Sequence, residues 1–380
     1  MRVKALRIPD LLTNNCILPC AISTVIALLA ATAAGAPAPG RDKEVLVGVY
    51  YFAGWWKEQP NNYNVNGRDW RKDYPQRASL LGQYNDQETM DREIEAAAAH
   101  GVDFFQILWY HQDPKLPAEP HHEKLNEGIR LFMNSSENRA MKFTLEFVNH
   151  PPFAITSDAE WESACRYWVR VMKHPSYLRV GGRPVFKIHG LWHFLRQNGD
   201  DPEKVRKRIE SFRRIAAKAG LPNPLISAGV GIGDVQKGPR AQPYDFLTTY
   251  MDMPNLPVKA EPYPYSALID QAEKGWLLNA AESGKPYVPH VPAGWDPRPW
   301  GDPRPSFTFP TRDEWLDALR RVRSALESSD KLGAPSGKRK PRKMLLIYAW
   351  NEFGEGGILA PTQGERYMKL EAIKDVFGRR

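Results

Sequence analysis

Two glutamates follow a strand-like segment near the end of the chain. Residues 348–357 read Tyr-Ala-Trp-Asn-Glu-Phe-Gly-Glu-Gly-Gly, so an apolar run ends in Glu352, Glu355 and three glycines. Glycine allows backbone shapes that other residues resist, and it lets a ligand approach the main chain. Carboxyl groups three residues apart across a turn could point into one cavity. Cleavage of a glycosidic bond needs such a pair, one acid to protonate the leaving oxygen and one carboxylate as base or nucleophile.

A structural role is the alternative for this pair, with Glu352 bound to a barrel Lys or Arg and Glu355 capping the last helix. The surroundings favour catalysis, because Trp350 and Asn351 stand beside the pair at a strand end. Reactive groups of α/β barrels project from such ends. Neighbouring carboxylates also push their pKa values apart, which helps to keep one of them protonated near neutrality.

Eight short apolar runs predict buried strands. Several are continuous rather than alternating, as in parallel strands that are covered on both faces. The runs are 45–52, 102–109, 142–149, 183–189, 225–230, 245–250, 287–291 and 344–350.

Helical patterns lie between these runs. Three of them begin with a capping-box pattern, a cap residue followed three positions later by Glu, and a fourth begins with a first-turn proline. These starts are Asn85 with Glu88, Ser157 with Glu160, Thr311 with Glu314, and Pro202 after Asp201. The predicted helices are 86–100, 123–136, 158–173, 202–219, 264–282, 312–328 and 364–376.

The alternation of strand and helix predicts right-handed βαβ units and a parallel sheet. Eight repeats indicate closure into a single-domain (β/α)8 TIM barrel over residues 37–380. A doubly wound open sheet is the alternative. It would carry a glycine-rich first turn, whereas residues 52–56 read Phe-Ala-Gly-Trp-Trp and lack G-x-G-x-x-G spacing.

The strand ends of this barrel collect aromatic rings, imidazoles and carboxylates from six different strands. Packing alone does not readily explain such a collection at one end. We therefore predict that Glu352 and Glu355 are catalytic and that substrate is bound by Tyr50, Tyr51, Trp55, Trp56, Trp109, Tyr110, His111, Glu146, His150, His189, Tyr250, His290, Trp295, Trp350 and Asn351.

The sequence contains no recognisable metal-binding motif. Six histidines could in principle supply ligands, but no H-E-x-x-H pattern or CxxC pair accompanies them. No G-x-S-x-G elbow or P-loop occurs either. We expect neither a metal nor a cofactor. The histidines in question are His111, His121, His122, His150, His189 and His290.

Residues 1–36 read as a signal peptide. Arg2, Lys4 and Arg7 form a basic start, an uncharged apolar run covers 21–34, and small residues follow. A retained N-terminal anchor is the alternative, although the apolar run is short for a membrane span. We expect the mature chain to be periplasmic or extracellular without stable membrane insertion. Beyond the signal only Cys165 remains, so no internal disulfide can form.

The chain carries a net charge of +8, and a basic run occupies residues 338–343. A nucleic-acid patch is one interpretation. A solvated loop is preferred, since no stacking aromatics are interleaved with the run. An anionic polysaccharide could also be attracted by such charge. We expect a carbohydrate substrate and no nucleic-acid partner.

Four segments give the chain a resemblance to a known group. They are 48–52 with the Trp55-Trp56 loop, 81–85 leading through a helix to 101–105, 182–188, and 349–362 closing with 367–373. With these motifs the chain resembles the glycoside hydrolase family 99-like proteins, including those called WbsX-like. The segments span nearly the whole mature chain.

The resemblance implies a (β/α)8 barrel and two catalytic glutamates that match Glu352 and Glu355. Characterised family 99 enzymes are endo-acting on α-mannosides. The resemblance makes Glu352 the base toward the substrate 2-hydroxyl and Glu355 the acid to the leaving group, with an epoxide-like sugar intermediate and retention. Phe353 and Gly354 stand where those mannosidases have Trp-His, so mannoside specificity does not carry over.

Three functions follow from different readings of the same residues. Glycoside hydrolysis is preferred. A WbsX-like glycosyltransferase of polysaccharide biosynthesis would need an activated sugar donor, which is commonly cytoplasmic, and the predicted signal peptide argues against it. A non-catalytic carbohydrate-binding barrel would use the carboxylates only to hold sugar hydroxyls.

Overall fold

Parallel strands form the centre of the fold in a computed structural model, which describes residues 43–113, 115–117, 120–235, 238–337 and 340–378. The predicted signal peptide and part of the basic run 338–343 lie outside the described residues. The barrel strands are β1 Leu46–Tyr51, β2 Phe104–Tyr110, β3 Lys142–Val148, β4 Arg183–Ile188, β5 Leu225–Gly229, β6 Phe246–Thr248, β7 in two parts, Tyr287–Val288 and His290–Pro292, and β8 Met344–Tyr348.

The sheet closes through its interrupted seventh strand. Tyr287–Val288 pairs in parallel with β6, and His290–Pro292 pairs in parallel with β8. Pro289 lies between the two parts, and its carbonyl oxygen accepts a hydrogen bond of 2.9 Å from the Leu346 amide. All other neighbouring barrel strands pair in sequence order, and β1 lies between β8 and β2. The predicted (β/α)8 barrel is therefore confirmed.

Helices alternate with these strands. They are α1 Gln87–Ala99, α2 Glu127–Asn134, α3 Asp158–Val171, α4 Leu191–Gln197, α5 Pro202–Lys218, α6 Ser266–Ser283, α7 Arg312–Ser328 and α8 Met368–Phe377. Single 3-10 turns cover Trp70–Lys72, Pro75–Arg77, His122–Asn126 and Arg298–Trp300. Short antiparallel strands pair Asn64–Val65 with Arg68–Asp69, Arg179–Val180 with β4, and Asn351–Glu352 with Gly357–Ile358. All seven predicted helices are present, and the short α4 had no separate prediction.

Three of the four predicted helix starts are confirmed. Both capping boxes at α3 and α7 are formed, and Asp201 caps α5 ahead of Pro202. The fourth prediction is wrong, because Asp86 caps α1 by accepting from the Thr89 amide. Asn85 instead accepts from the Trp55 amide at 2.7 Å and donates to the Tyr51 hydroxyl at 3.0 Å.

Strand side chains alternate between the barrel interior and the helix layer, as the period of two requires. On β1, Tyr50 points inward and receives a hydrogen bond of 2.8 Å from Lys187 of β4. The next residue, Tyr51, points outward and donates to Glu93 of α1 at 2.7 Å. This alternation decides which strand-end residues face the open end of the barrel.

Candidate active site

A cleft of about 570 Å³ opens at the carboxyl ends of the barrel strands. Both predicted catalytic glutamates line it. A larger set of aromatic, aliphatic and polar side chains completes the wall, namely Phe52, Trp56, Asn62, Leu108, Tyr110, Leu125, Val148, His150, Phe153, His189, Tyr250, Met251, Met253, Trp295, Trp300 and Arg304.

A tight hairpin beyond β8 carries the two glutamates. The amides of Glu355 and Gly356 both donate to the Glu352 carbonyl oxygen, at 3.2 and 2.8 Å, so both side chains are held on one turn. Gly356 has a φ of +83°, and a Cβ there would lie 2.6 Å from the Asp296 amide nitrogen. At Gly354 a Cβ would lie 2.1 Å from the Trp300 ring. The turn therefore requires glycine at both positions.

A buried arginine holds this hairpin from behind. Arg77, on the turn before α1, donates to the carbonyl oxygens of Phe353 at 2.9 Å and Asp296 at 3.0 Å. Its guanidinium also pairs with the Asp296 carboxylate. The Asp296 amide in turn donates to the Glu355 carbonyl oxygen at 2.6 Å. The position of the glutamates thus depends on residues more than 50 positions away in the chain.

Glu352 lies deep in the cleft with one side-chain donor. The Tyr250 hydroxyl donates to its Oε1 at 2.6 Å. Burial and then the charge of Glu355 raise the pKa of Glu352 well above its ordinary value, and the Tyr250 hydrogen bond offsets only part of this rise. A carboxyl group in this position holds a proton at pH values where an exposed glutamate is ionised.

Glu355 lies nearer the opening and has more partners. Tyr348 donates to its Oε2, and the Arg304 guanidinium lies 3.6 Å from its Oε1. Burial raises the pKa of Glu355, while Tyr348 and Arg304 stabilise its carboxylate and limit that rise. The cleft therefore contains two neighbouring carboxyl groups in unlike surroundings, which is the arrangement that general acid–base chemistry uses.

Beneath the cleft, a polar cluster crosses the barrel interior. The Glu146 carboxylate accepts from Lys187 at 2.9 Å, from His189 Nδ1 at 2.7 Å and from Gln106 at 2.6 Å. Burial opposes ionisation, but these three partners together lower the pKa of Glu146. The cluster orients the His189 ring, which lines the cleft wall above it.

The structure brings six of the predicted substrate-binding residues to the cleft and places nine elsewhere. Lining residues are Trp56, Tyr110, His150, His189, Tyr250 and Trp295. In the barrel interior below lie Tyr50, Glu146 and His290, and burial lowers the pKa of His290 to about 3.

The other six predicted residues lie behind the walls. The side chains of Tyr51 and Trp109 contact the helix layer, at Glu93 and Trp168. The Trp350 ring contacts Phe105 of β2, an outward-facing strand residue. The Trp109 ring also contacts that of His111, which is half-buried. Two residues support the hairpin, since Trp55 Nε1 donates to the Asn351 carbonyl oxygen at 2.8 Å and the Asn351 amide group bonds both backbone groups of Phe52.

Several cleft residues were not predicted. Trp300 and Arg304 come from the loop 292–310, whose unusual length and proline content are the signal that could have found them. Met251 and Met253 follow β6, and Asn62 lies in the first long loop. Arg77 had no signal in the sequence, because a single arginine in a loop has no distinctive spacing.

Within the described ranges, no three His, Cys, Asp or Glu side chains come together in a way that could hold a metal ion. In the same part of the chain no helix is both long and apolar enough to cross a membrane.

Comparison with known proteins supports the architecture. No family model matches the chain. The uncharacterized protein WxcX of Xanthomonas campestris pv. campestris is 27% identical over 226 residues, which make up 55% of this chain and 29% of that protein. The chain thus spans less than a third of the length of this relative.

Solved structures of similar fold cover nearly the whole chain. A glycoside hydrolase-like protein superposes with a TM-score of 0.63 at 12% identity, covering 91% of this chain and 98% of that one. The family 99 endo-α-mannosidase of Bacteroides thetaiotaomicron superposes with a TM-score of 0.53 at 15% identity, covering 87% and 97%. At this identity the likeness establishes fold. The resemblance to family 99 inferred from the motifs agrees with this fold, which is a (β/α)8 barrel.

Proposed function

We propose that this protein is a glycoside hydrolase that cleaves glycosidic bonds in a polysaccharide or oligosaccharide. The observation that carries the proposal is that Glu352 and Glu355, adjacent on one turn, both line a single cleft at the catalytic end of a barrel. Their surroundings differ in a way that separates an acid from a base. Two partly exposed tryptophans of the wall, Trp56 and Trp300, offer apolar faces on which sugar rings can stack.

The two carboxyl groups share one proton in the active form. Before substrate binds, the proton resides on Glu352, since Tyr348 and Arg304 stabilise the Glu355 carboxylate. A sugar 2-hydroxyl that donates to Glu352 stabilises the Glu352 carboxylate, and the proton then passes to Glu355. Glu352 acts as base toward this hydroxyl, or as nucleophile, and Glu355 protonates the leaving oxygen. The expected outcome is retention at the anomeric carbon, which the anomer formed first in an NMR time course reports.

Replacing Glu355 by Gln tests this function. The variant should lose about 10²–10⁴-fold in kcat on a glycan substrate, because Gln cannot transfer the proton. An aryl glycoside with an acidic phenol needs little protonation, so the same variant should regain activity on it. Glu371→Gln is the matched control, since this exposed glutamate of α8 does not line the cleft.

Two results would contradict the proposal. Unchanged turnover of the glycan by the Glu355→Gln variant would remove Glu355 from the chemistry. Tight binding of glycans with no turnover by the wild type across a broad panel would make this barrel a carbohydrate-binding protein.

We also propose that the chain is exported, on the basis of the basic start and the apolar run 21–34. N-terminal sequencing of the mature protein from a Gram-negative host should find a start near residue 37. If the N-terminus is uncleaved and the protein is cytoplasmic, the export proposal is wrong and the glycosyltransferase hypothesis is favoured again.

A further inference from the structure

Two outer helices carry facing rows of positive charge along a groove on the side of the barrel. On α5 the row follows one helical face, with positions three, four or seven apart, and on α3 and the turn after it the spacing is similar. All side chains of both rows are exposed. We name this feature the basic groove and define it by Arg166, Arg170, Lys173, Lys204, Lys207, Arg214 and Lys218.

These cations are mostly uncompensated. Arg166 pairs with Glu162 at 3.3 Å. The other six have no acidic partner within 4.0 Å among the residues that the structure describes. Elsewhere on α5 the charge is balanced, because Arg206 bonds both Glu203 and Glu210. On α5, therefore, the cations without an acidic partner among the described residues all line the groove.

The basic groove contributes to the basic character of residues 43–380. Residues 1–42 hold four of the 52 Lys and Arg and two of the 44 Asp and Glu, so the remainder carries a net charge of +6. Six uncompensated cations lie in the groove. Like charges three or four positions apart on a helix repel each other and destabilise it. A bound anion would relieve this repulsion.

The groove begins beside the cleft. The loop between β3 and α3 separates them, with Phe153 lining the cleft and Thr156 lining the upper part of the groove. From there, two adjoining cavities of about 570 and 520 Å³ follow the α3–α5 seam and share Glu162, Ser211 and Arg214. A polymer held in the cleft can therefore continue across this loop into the groove.

We propose that the basic groove binds an anionic polysaccharide, and that the substrate of the cleft belongs to this class. The substrate assignment rests on the function proposed above. The concave shape and the hydroxyl, amide and guanidinium groups of the lining suit a flexible acidic glycan. An anionic membrane would require exposed apolar anchors, and the apolar lining residues Val169, Ile215 and Ala219 are buried or half-buried. Single-stranded nucleic acid would require exposed stacking rings, and the one ring of the lining, Trp161, is buried.

Affinity electrophoresis of the full-length mature protein tests the proposal, with polygalacturonate in the gel as the anionic probe and dextran as the neutral one. The groove variant replaces Arg170, Lys173, Arg214 and Lys218 by Ser. The control variant replaces four exposed cations on the side of α6 to α8, which also have no acidic partner within 4.0 Å in the described part of the chain. These are Lys274, Arg320, Lys331 and Lys374, each replaced by Ser.

The wild type should be retarded by polygalacturonate and not by dextran, and added salt should weaken the retardation because exposed charges are screened. The groove variant should lose about tenfold in affinity, whereas the control should stay within about twofold. The groove variant should show the circular dichroism spectrum of the wild type and a single cooperative melting transition, because all four replaced side chains are exposed. That result excludes misfolding as the cause of weaker binding.

If both variants lost affinity for polygalacturonate equally, binding would depend on net charge alone, and the proposal would be overturned. The proposal would also be overturned if the groove variant bound polygalacturonate with the affinity of the wild type. Binding of the wild type to phosphatidylglycerol vesicles without binding to polygalacturonate would overturn it too. The Glu355→Gln variant separates this proposal from the function, because the four groove substitutions should weaken polygalacturonate binding about tenfold in this inactive variant as well. If this protein shows groove-dependent binding but cleaves no glycan, the binding proposal is supported and the hydrolase proposal fails.

Discussion

Two buried glutamates at the same end of the barrel have opposite electrostatic surroundings. Glu146 accepts three side-chain hydrogen bonds, one of them from the ammonium of Lys187, and its pKa is lowered. Glu352 accepts one side-chain hydrogen bond, from Tyr250, lies beside another carboxyl group, and its pKa is raised. Burial acts in the same direction on both, so the number and charge of the partners decide the protonation state.

In the proposed hydrolase, this difference separates a structural glutamate from a reactive one. The Glu146 cluster uses its partners to stabilise one arrangement of Lys187, His189 and Gln106 across the barrel. At Glu352, the hydrogen bond from Tyr250 offsets only part of the cost of burying a carboxylate charge, and the carboxyl group lines the cleft. Incomplete compensation in a cleft is typical of groups that exchange protons with a substrate.

Removing the charge at Glu146 should have the largest effect on stability. In the Glu146→Gln variant the Lys187 ammonium stays buried without its counter-ion, so the free energy of unfolding should fall by about 3–5 kcal/mol. Urea unfolding measures the change, and Glu352→Gln is the matched control, expected to unfold at or above the urea midpoint of the wild type near neutral pH. Adding Lys187→Met to Glu146→Gln should recover part of the loss. Equal destabilisation by the two single Gln variants would show that the comparison is wrong.

The pH dependence of stability should then distinguish the two sites. A carboxyl group whose pKa is raised by folding becomes costly to the folded state once it ionises, so stability is lost as pH rises from the ordinary carboxyl pKa through the raised one. Glu352→Gln removes this cost. Its Tm should therefore exceed that of the wild type by more at about pH 8 than at about pH 5, as calorimetry can measure. A Tm difference that does not change with pH would mean that Glu352 is ionised throughout this range.

Arg304 should produce the smallest of these effects, because it is partly exposed and its interaction with Glu355 is screened. Replacing Arg304 by Gln removes a charge that favours the Glu355 carboxylate, so the pKa of Glu355 should rise. If Glu355 is the general acid, the basic limb of the kcat–pH profile should move to higher pH while the acidic limb stays in place. Movement of the acidic limb instead would make Glu355 the base and reverse the roles of the two glutamates.

Much of the fold was predictable because it depends on local pattern. Runs of buried strand residues, the cap residues Ser157 and Thr311, and the proline at 202 act over a few positions, and all of them appear in the structure. The wrong cap at α1 shows the limit of such patterns. Asn85 fits the cap pattern, but its side chain is used by Trp55 and Tyr51, and Asp86 takes over.

The residues that line the cleft were predictable in part. That reactive groups lie at strand ends follows from the fold, and this rule led to Glu352, Glu355, His189 and Tyr250. The rule does not separate the two faces of a strand. Tyr51 and Trp109 stand at strand ends but point toward the helices, as the alternation along each strand would have indicated.

The sequence by itself determined the barrel, the order of its elements and the turn that carries both glutamates, since each depends on neighbouring residues. Only the tertiary structure decided what surrounds those glutamates. Tyr250, Arg304 and Arg77 reach the hairpin from three other parts of the chain. Protonation and orientation depend on distances between such groups. No periodicity in one sequence encodes these distances, because folding brings together residues that are far apart along the chain.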